Sequence, residues 1–453
     1  MYGYPRETMP NLARFAQLAT VYHNHIAGGN FTSSGTASLL TGTNPFTHKA
    51  YQNYSQVKAE FKTKNVFSLF DHYFRLAYTH NPLVQVFFDQ FLEGIDLFKQ
   101  RQELFIGNSA VTKFFAADED IATLSWHQWN SRQGDRATGS LFMPDFEGYL
   151  QNRMFELYSD QYPRGLPEVK GMGYFLMEHA IDWVMQQMAE VPRPYLFYVH
   201  LLPPHHPYNT RNDFVDRFDD GWDPLDKPNH FLSSNFSPDR ISNERRYYDE
   251  FIAFVDAEFG RLYEWMQSNG MLDDTWIIFT TDHGEIFERG MIGHINHVFH
   301  QPLLHIPLLI HAPGQTQQQD IYQPTNAVDV LPTLLHITQQ PVPDWLEGQV
   351  LPPHNQQSIT SDCPFLAFDG REFAFGDKVT KGTAVILRWP YKLTYYWRYQ
   401  RMKDDPEYIE LFDVEADPEE LHNLSREKRQ TASDLLAELK EHIKRSGRIT
   451  FPE

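Results

Sequence analysis

The chain has 453 residues, a formal charge of −20, 41% hydrophobic and 15% aromatic residues, and one cysteine, Cys363. That length and apolar content fit one large α/β core with a smaller companion and argue against global disorder. The acidic balance offers no counter-charged surface to nucleic acid or an anionic membrane, and a lone cysteine excludes an intrachain disulfide or a cysteine-rich zinc site.

The opening "MYGYPRETMPNLARF" lacks the charged-then-apolar layout of a signal peptide, and no apolar run is long enough to span a bilayer. As written, the chain is expected to be cytoplasmic. "PNLARFAQLA" (10–19) predicts a helix, with proline in the first turn and Leu12, Phe15 and Leu18 at helical spacing. A short strand is expected over 21–26. The loop "GGNFTSSGTASLLTG" (28–42) then leads into a helix that opens on Thr32, Ser33, Ser34, Thr36 and Ser38. These hydroxyls either cap the first turn, or one of them is a nucleophile aimed along a turn whose N–H groups hold an anion. Ser33 and Ser34 are expected to be the caps.

The pattern is weak over 85–165, which reads as helices and loops laid over the core. "PYLFYVHLLPPHHPY" (194–208) reads as a buried strand stopped by Pro203 and Pro204, with His200, His205 and His206 near its exit. The clearest helix spans 243–270, with Asn243 as its expected cap and Asn269-Gly270 as its end. "TWIIFTTDHGE" (275–285) gives another buried strand that delivers Asp282 and His283 at its end. A strand over 305–314 and a helix over 326–337 continue the alternation.

Strand, long helix and strand, with polar residues at strand ends, point to an α/β protein with a mostly parallel central sheet sandwiched by helices. In such sheets ligands bind beyond the carboxyl ends of the strands. A Pro-, Gln- and Asn-rich stretch over 338–360 marks a boundary. Residues 1–345 are expected to form the catalytic domain, and 346–453 a small C-terminal α+β subdomain of antiparallel strands and a terminal helix capped by Ser425.

An acidic oxygen and an imidazole on adjacent residues, Asp282 and His283, can face one ion where the chain leaves its strand; the alternative is a helix cap with a solvated neighbour. "GMIGHINHVFHQPLLH" brings His294, His297, His300 and His305 close in sequence. Gly293 and Pro302 argue against a zinc-binding helix there, and no glutamate completes the usual pattern. His294, just after a glycine, is best placed to reach a pocket.

Taken in order and spacing, "YGYPRETMPNLARFA", "TSSGTASLLTG", "VHLLPPHHPY", "IIFTTDHGE", "IPLLIHAPG" and "ELFDVEADPEELHNL" resemble the sulfatase family of the alkaline phosphatase superfamily. The resemblance implies an alkaline-phosphatase-like fold in which Asp282, His283 and Thr32 bind a divalent metal ion. Thr32 would be the nucleophile, and His205 and His294 would act on the ester oxygens and the leaving group. His48, Thr79, His80 and His297 are expected to line the substrate pocket, Thr79 or His80 from "AYTHN" (77–81) at the end of an expected strand.

Threonine stands where sulfatases carry the cysteine or serine precursor of formylglycine, and Ser34 and Thr36 replace the Pro and Arg of the motif. That resembles the branch whose unmodified hydroxyl attacks phosphorus. The implied activity is metal-dependent hydrolysis or transfer of a small anionic sulfate or phosphate ester, with phosphate favoured. The ion would be manganese or calcium, with zinc a third option; a single imidazole ligand suits manganese or zinc better than calcium. Family members also place metal-binding aspartates on a strand ahead of the "YGY" segment. The expectation is therefore either a protein that starts upstream of Met1, which leaves export open, or a defective remnant that keeps an anion pocket. The oligomeric state and the esterified group are not specified by these motifs.

Overall fold

The computed structural model describes residues 3–52, 54–108, 153–169, 172–294, 296–355, 364–374, 378–402 and 406–447. Cys363 and most of the 85–165 segment lie outside that set. Among the described residues no helix is long and apolar enough to cross a membrane.

The first helix, α1 (Pro10–Ala16), keeps proline in its first turn and buries Leu12 and Phe15. Strand β1 (Thr20–Tyr22) follows, and the expected 21–26 strand is broken, with a separate two-residue strand at His25–Ile26. Helix α2 (Thr32–Thr41) is buried along its whole length. Strand β2 (Phe74–Thr79), helix α3 (Pro82–Gln90) and strand β3 (Leu97–Lys99) come next. Helix α4 (Met177–Glu190) leads into strand β4 (Tyr195–His200).

The long helix α5 (Pro238–Ser268) begins earlier than expected. Ser237, not Asn243, is its cap, its side chain accepting from the Arg240 N–H at 3.4 Å. A serine followed by proline is the better start signal, because the hydroxyl takes an orphan donor and proline has none to lose. Strand β5 (Ile277–Thr280), β6 (Leu308–His311), β7 (Gln319–Ile321) and helix α6 (Val330–Ile337) complete the α/β part.

The strands form two separate blocks. One is ordered β3-β2-β4, parallel throughout. The other is ordered β7-β1-β6-β5, in which β6 runs against both neighbours and β7 is parallel to β1. Helices cover both faces. Leu12 and Phe15 of α1 pack with Val184 and Met188 of α4 and Tyr263 and Met266 of α5 on one side. Ala37 and Leu40 of α2, Phe87 and Phe88 of α3 and Leu331 and Leu335 of α6 pack on the other.

The C-terminal part is an antiparallel meander of β8 (Phe365–Ala374), β9 (Lys378–Arg388), β10 (Tyr391–Trp397) and β11 (Glu407–Asp413). Helix α7 (Arg429–Ser446) buries Leu435, Leu439 and Ile443 against it. Ser425 does not cap α7; the helix starts after Lys428 with no side-chain cap. Alternating strands with tight turns and one apolar helix face account for this unit.

Candidate active site

Three chain segments meet beyond the carboxyl ends of β4 and β5. Thr32 is the first residue of α2, and no side chain caps that helix. The expected caps are used otherwise: Ser34 Oγ donates to the Gly28 carbonyl at 3.2 Å, and Ser33 Oγ is buried without a hydrogen-bond partner. The first-turn N–H groups are therefore left to a ligand, in keeping with anion binding at such a terminus. Gly35 allows the close approach of α2 to the end of β5, since a Cβ there would lie 2.1 Å from the Asp282 carbonyl oxygen.

Asp282 and His283 follow β5 after the single residue Thr281. His283 Nδ1 lies 2.9 Å from the Gly284 carbonyl oxygen. A carbonyl only accepts, so Nδ1 holds the proton and Nε2 presents a lone pair. That Nε2 lies 3.5 Å from Thr32 Oγ1 and 3.7 Å from Asp282 Oδ2. His200, the last residue of β4, adds its Nε2 at 3.8 Å from the same carboxylate oxygen, and Thr36 Oγ1 stands 3.4 Å away. Imidazole-to-carboxylate separations of this size are longer than hydrogen bonds, so the groups face a common gap.

Burial raises the Asp282 carboxyl, but His283 and His200 outweigh it and leave it below the ordinary range. Burial holds both imidazoles below theirs, against the opposing pull of Asp282. At neutral pH the cluster is thus one carboxylate and two neutral imidazoles. Asn81 Nδ2, 3.4 Å from Thr32 Oγ1, fixes the hydroxyl from the far side.

Beside this gap stands a second set of rings. The His294 ring centre is 4.4 Å from that of His283 and 4.9 Å from that of His205. His294 Nδ1 pairs with Glu285 Oε1 at 2.8 Å, and Tyr208 donates to Glu285 Oε2 at 3.4 Å. Burial alone would raise Glu285, but His294 holds it below its ordinary value. His205 donates Nδ1–H to the His206 carbonyl at 2.6 Å, and burial lowers its pKa to about 4.

The fold therefore brings together Thr32, Asp282, His283, His205 and His294. The four expected pocket residues are placed differently. His48 is fully buried, with Nε2 on Ser38 Oγ at 3.2 Å and Nδ1 accepting from Ala50 N–H at 3.0 Å. Thr79 Oγ1 accepts from Asn81 N–H at 2.9 Å and so positions the loop that carries Asn81. His80 is buried, stacked on Phe175 at 4.0 Å, with neither ring nitrogen hydrogen-bonded. His297 lies 5.1 Å from the Tyr399 ring, beside the C-terminal meander, with its side chain one-third exposed. His200, Asn81 and Glu285 join the site without having been singled out for it. The signal for His200 was its place as the last strand residue; Glu285 stood within the Asp-His-Gly-Glu run.

A second buried group, His230, His300 and Glu410, brings one nitrogen or oxygen of each within 4.8 Å. The Leu232 N–H donates to His230 Nδ1 at 3.1 Å, which puts that ring's proton on Nε2, 3.5 Å from Glu410 Oε1. His300 Nδ1 pairs with Glu420 at 2.9 Å. The group ties the 208–305 region to the C-terminal sheet and shares no residue with the Thr32 centre.

The sulfatase family model matches residues 1–340, and the model of the C-terminal part of N-sulphoglucosamine sulphohydrolase matches residues 294–448. A choline-sulfatase of Rhizobium meliloti is 24% identical over 447 residues, covering 93% of this chain and 78% of that protein. Arylsulfatase K of Bos taurus is 25% identical over 300 residues, covering 59% of this chain and 54% of that protein, so the chain spans about half the length of this relative. The fold is similar to that of a phosphonate monoester hydrolase of Agrobacterium radiobacter, with a TM-score of 0.69 at 18% identity over 98% of this chain and 93% of that one. It is also similar to a structure solved with D-glucosamine-2-N,6-O-disulfate, with a TM-score of 0.64 at 16% identity over 97% of this chain and 93% of that one.

Proposed function

Because the chain belongs to the sulfatase family, we propose that it is an ester hydrolase in which the unmodified Thr32 hydroxyl attacks the phosphorus or sulfur of a small anionic ester, with phosphate esters preferred. The observation that carries this reading is the convergence of Thr32 Oγ1, His283 Nε2 and Asn81 Nδ2 at an uncapped helix terminus.

The family uses a divalent metal ion, and the donors present suit one: a carboxylate, two neutral imidazoles and a hydroxyl, from Asp282, His283, His200 and Thr32. Two nitrogen donors favour zinc or manganese over calcium. When bound, such an ion would lower the pKa of the Thr32 hydroxyl and polarise the ester oxygens. The residues of the chain do the rest. The first turn of α2 receives the anion's oxygens through its free N–H groups. Thr32 Oγ forms the new bond as the bond to the leaving alkoxide breaks, and the Thr32 proton passes through a neutral imidazole, His294 or His205, to that alkoxide. Water then attacks the phospho-threonine, and one of its protons passes through the same imidazole back to Thr32 Oγ, which restores the hydroxyl and the neutral ring.

His80 and His297 remain proposed pocket residues, whereas His48 and Thr79 act by holding the loops. A non-catalytic anion-binding role is the second reading, favoured by the single carboxylate, Asp282, that faces the gap among the described residues.

The test is turnover of an aryl phosphodiester and an aryl sulfate, with and without added manganese or zinc. Thr32→Ala and Asp282→Ala should each abolish hydrolysis, and mass spectrometry after a quench should find an added phosphate on the peptide carrying Thr32. Full activity in Thr32→Ala would remove the mechanism. Absence of turnover with retained binding of inorganic phosphate would favour the non-catalytic reading.

A further inference from the structure

The segment that carries His294 is fastened by side chains. It leaves Met291–Gly293, the second strand of a two-stranded hairpin, and runs past His294 to the short helix Gln301–Leu304. Residues 296–299 belong to no helix or strand, and the carbonyl of each accepts from a side chain. Asn30 Nδ2 takes two of them, donating to the Asn296 carbonyl at 2.7 Å and to the Val298 carbonyl at 2.8 Å. The intervening His297 carbonyl accepts from Thr383 Oγ1 at 2.7 Å, and the Phe299 carbonyl accepts from Lys392 Nζ. Thr383 lies on β9 and Lys392 on β10. The donors therefore alternate between the nucleophile loop and the C-terminal meander. Because a buried carbonyl needs a donor, these side chains set where the segment lies.

The grip of Asn30 is close to the chemistry at both ends. Asn30 stands two residues before Thr32 and is fully buried. Asn296 in turn closes the turn around His294, its Nδ2 donating to the Ile292 carbonyl at 3.1 Å and the Gly293 carbonyl at 3.0 Å. Gly293 has a φ of 79°, and a Cβ on it would lie 3.3 Å from Oε2 of Glu285, the carboxylate that pairs with His294. One path of hydrogen bonds thus runs from the nucleophile loop through Asn30 and Asn296 to the residue before His294. His283 completes the circuit, with Nε2 3.5 Å from Thr32 Oγ1 and its ring centre 4.4 Å from that of His294.

Asn30 is spent on its donors. Its Oδ1 is buried without a hydrogen-bond partner, a cost that an apolar residue would avoid. What offsets that cost is an amide nitrogen whose two protons reach two carbonyls, which neither an aspartate nor a leucine of similar size can do.

We propose that Asn30 is a positioning residue that fixes the separation between the Thr32 hydroxyl and the His294 ring, so that one imidazole reaches both the nucleophile and the leaving oxygen. The role rests on the Thr32 and His294 mechanism proposed above. Asn30 touches no reacting atom and acts through the segment it holds. A shift of about 1 Å in such a group costs about 100-fold in rate. The loss falls on proton transfer to the leaving group and spares the anion site at the first turn of α2. His205 arrives on a different segment, after β4.

The test compares two esters in the wild type, in Asn30→Ala and in the isosteric Asn30→Asp, with manganese added. Ethyl 4-nitrophenyl phosphate releases an anion that needs no proton, whereas ethyl phenyl phosphate releases a phenol with a pKa of about 10, as in tyrosine. Asn30→Ala should lower kcat about 100-fold on the phenyl ester and about threefold or less on the 4-nitrophenyl ester, with KM within about twofold on both. Asn30→Asp, which sets an acceptor against two carbonyls, should lose at least as much. Leu12→Ala, which loosens the α1 layer, should leave the ratio of the two rates unchanged. An equal loss on both esters, no loss on either, or the same change of ratio in Leu12→Ala overturns the proposal. If the Asn30 variants do not fold, Asn296→Ala, at a half-buried position of the same turn, carries the same expectation.

The ring N–H of His294, held by Glu285, gives a readout that needs no turnover, by NMR of histidine-labelled protein. It should exchange slowly in the wild type and be lost in Asn30→Ala, while the His283 ring N–H on the Gly284 carbonyl persists. Persistence of both signals in the variant, or no His294 signal in the wild type, refutes the role. Loss of the His294 signal in a protein that turns over neither ester would remove the Thr32 mechanism and leave the placement of His294 by Asn30 standing.

Discussion

At the scale of single residues, the site is a set of tautomers fixed by acceptors. The Gly284 carbonyl claims the Nδ1 proton of His283, and Glu285 orients His294. Glu285 touches no reacting atom, so it is a positioning residue. Glu285→Gln should lower kcat about tenfold or more while leaving KM near its starting value, because the loss falls on proton transfer and not on anion binding. Steady-state kinetics on the aryl phosphodiester would measure that split. Other histidines matter for stability. His25, His48 and His80 are fully buried, and burial lowers each pKa to about 3. Below the unfolded value of about 6.5 the unfolded chain takes up protons on these rings that the native chain refuses. Stability is therefore fully present above that pH and falls as the pH drops, by up to about 4 kcal/mol per pH unit for three such groups. Urea midpoints that stay level between pH 6.5 and pH 5 would contradict this.

At the scale of elements, the decisive contact is between the N-terminus of α2 and the end of β5. Gly35 makes it possible, because any side chain there meets the Asp282 carbonyl oxygen. Gly35→Ala should push the helix away from the strand end, lowering Tm by several degrees and abolishing turnover together, since Thr32 sits one turn before the displaced point. Calorimetry and an activity assay on the same sample would show whether the two losses coincide. Element boundaries were partly readable from sequence. The Pro10 start of α1 and the Asn269-Gly270 end of α5 follow from local chemistry. The expected caps at Asn243 and Ser425 were not used, because cap choice depends on which polar side chain the incoming chain direction brings to the first turn.

At the scale of the whole molecule, the C-terminal meander is held to α7 by one apolar seam. Leu439 is fully buried in it, among Leu393, Tyr395 and Ile443. Leu439→Ala should cost about 2–5 kcal/mol, readable as a lower urea midpoint with an unchanged slope. The sequence by itself determined the family, the α/β alternation, the helix-start placement of Thr32 and the strand-end placement of Asp282 and His283, because local periodicity and motif spacing are carried by neighbouring residues. Only the tertiary structure decided that His200 turns toward Asp282 and Asn81 toward Thr32, and that the sheet divides between β4 and β5. Those outcomes depend on which strands lie side by side and on how closely α2 approaches β5. Such contacts join residues about 50 to 250 positions apart, and no local pattern encodes them.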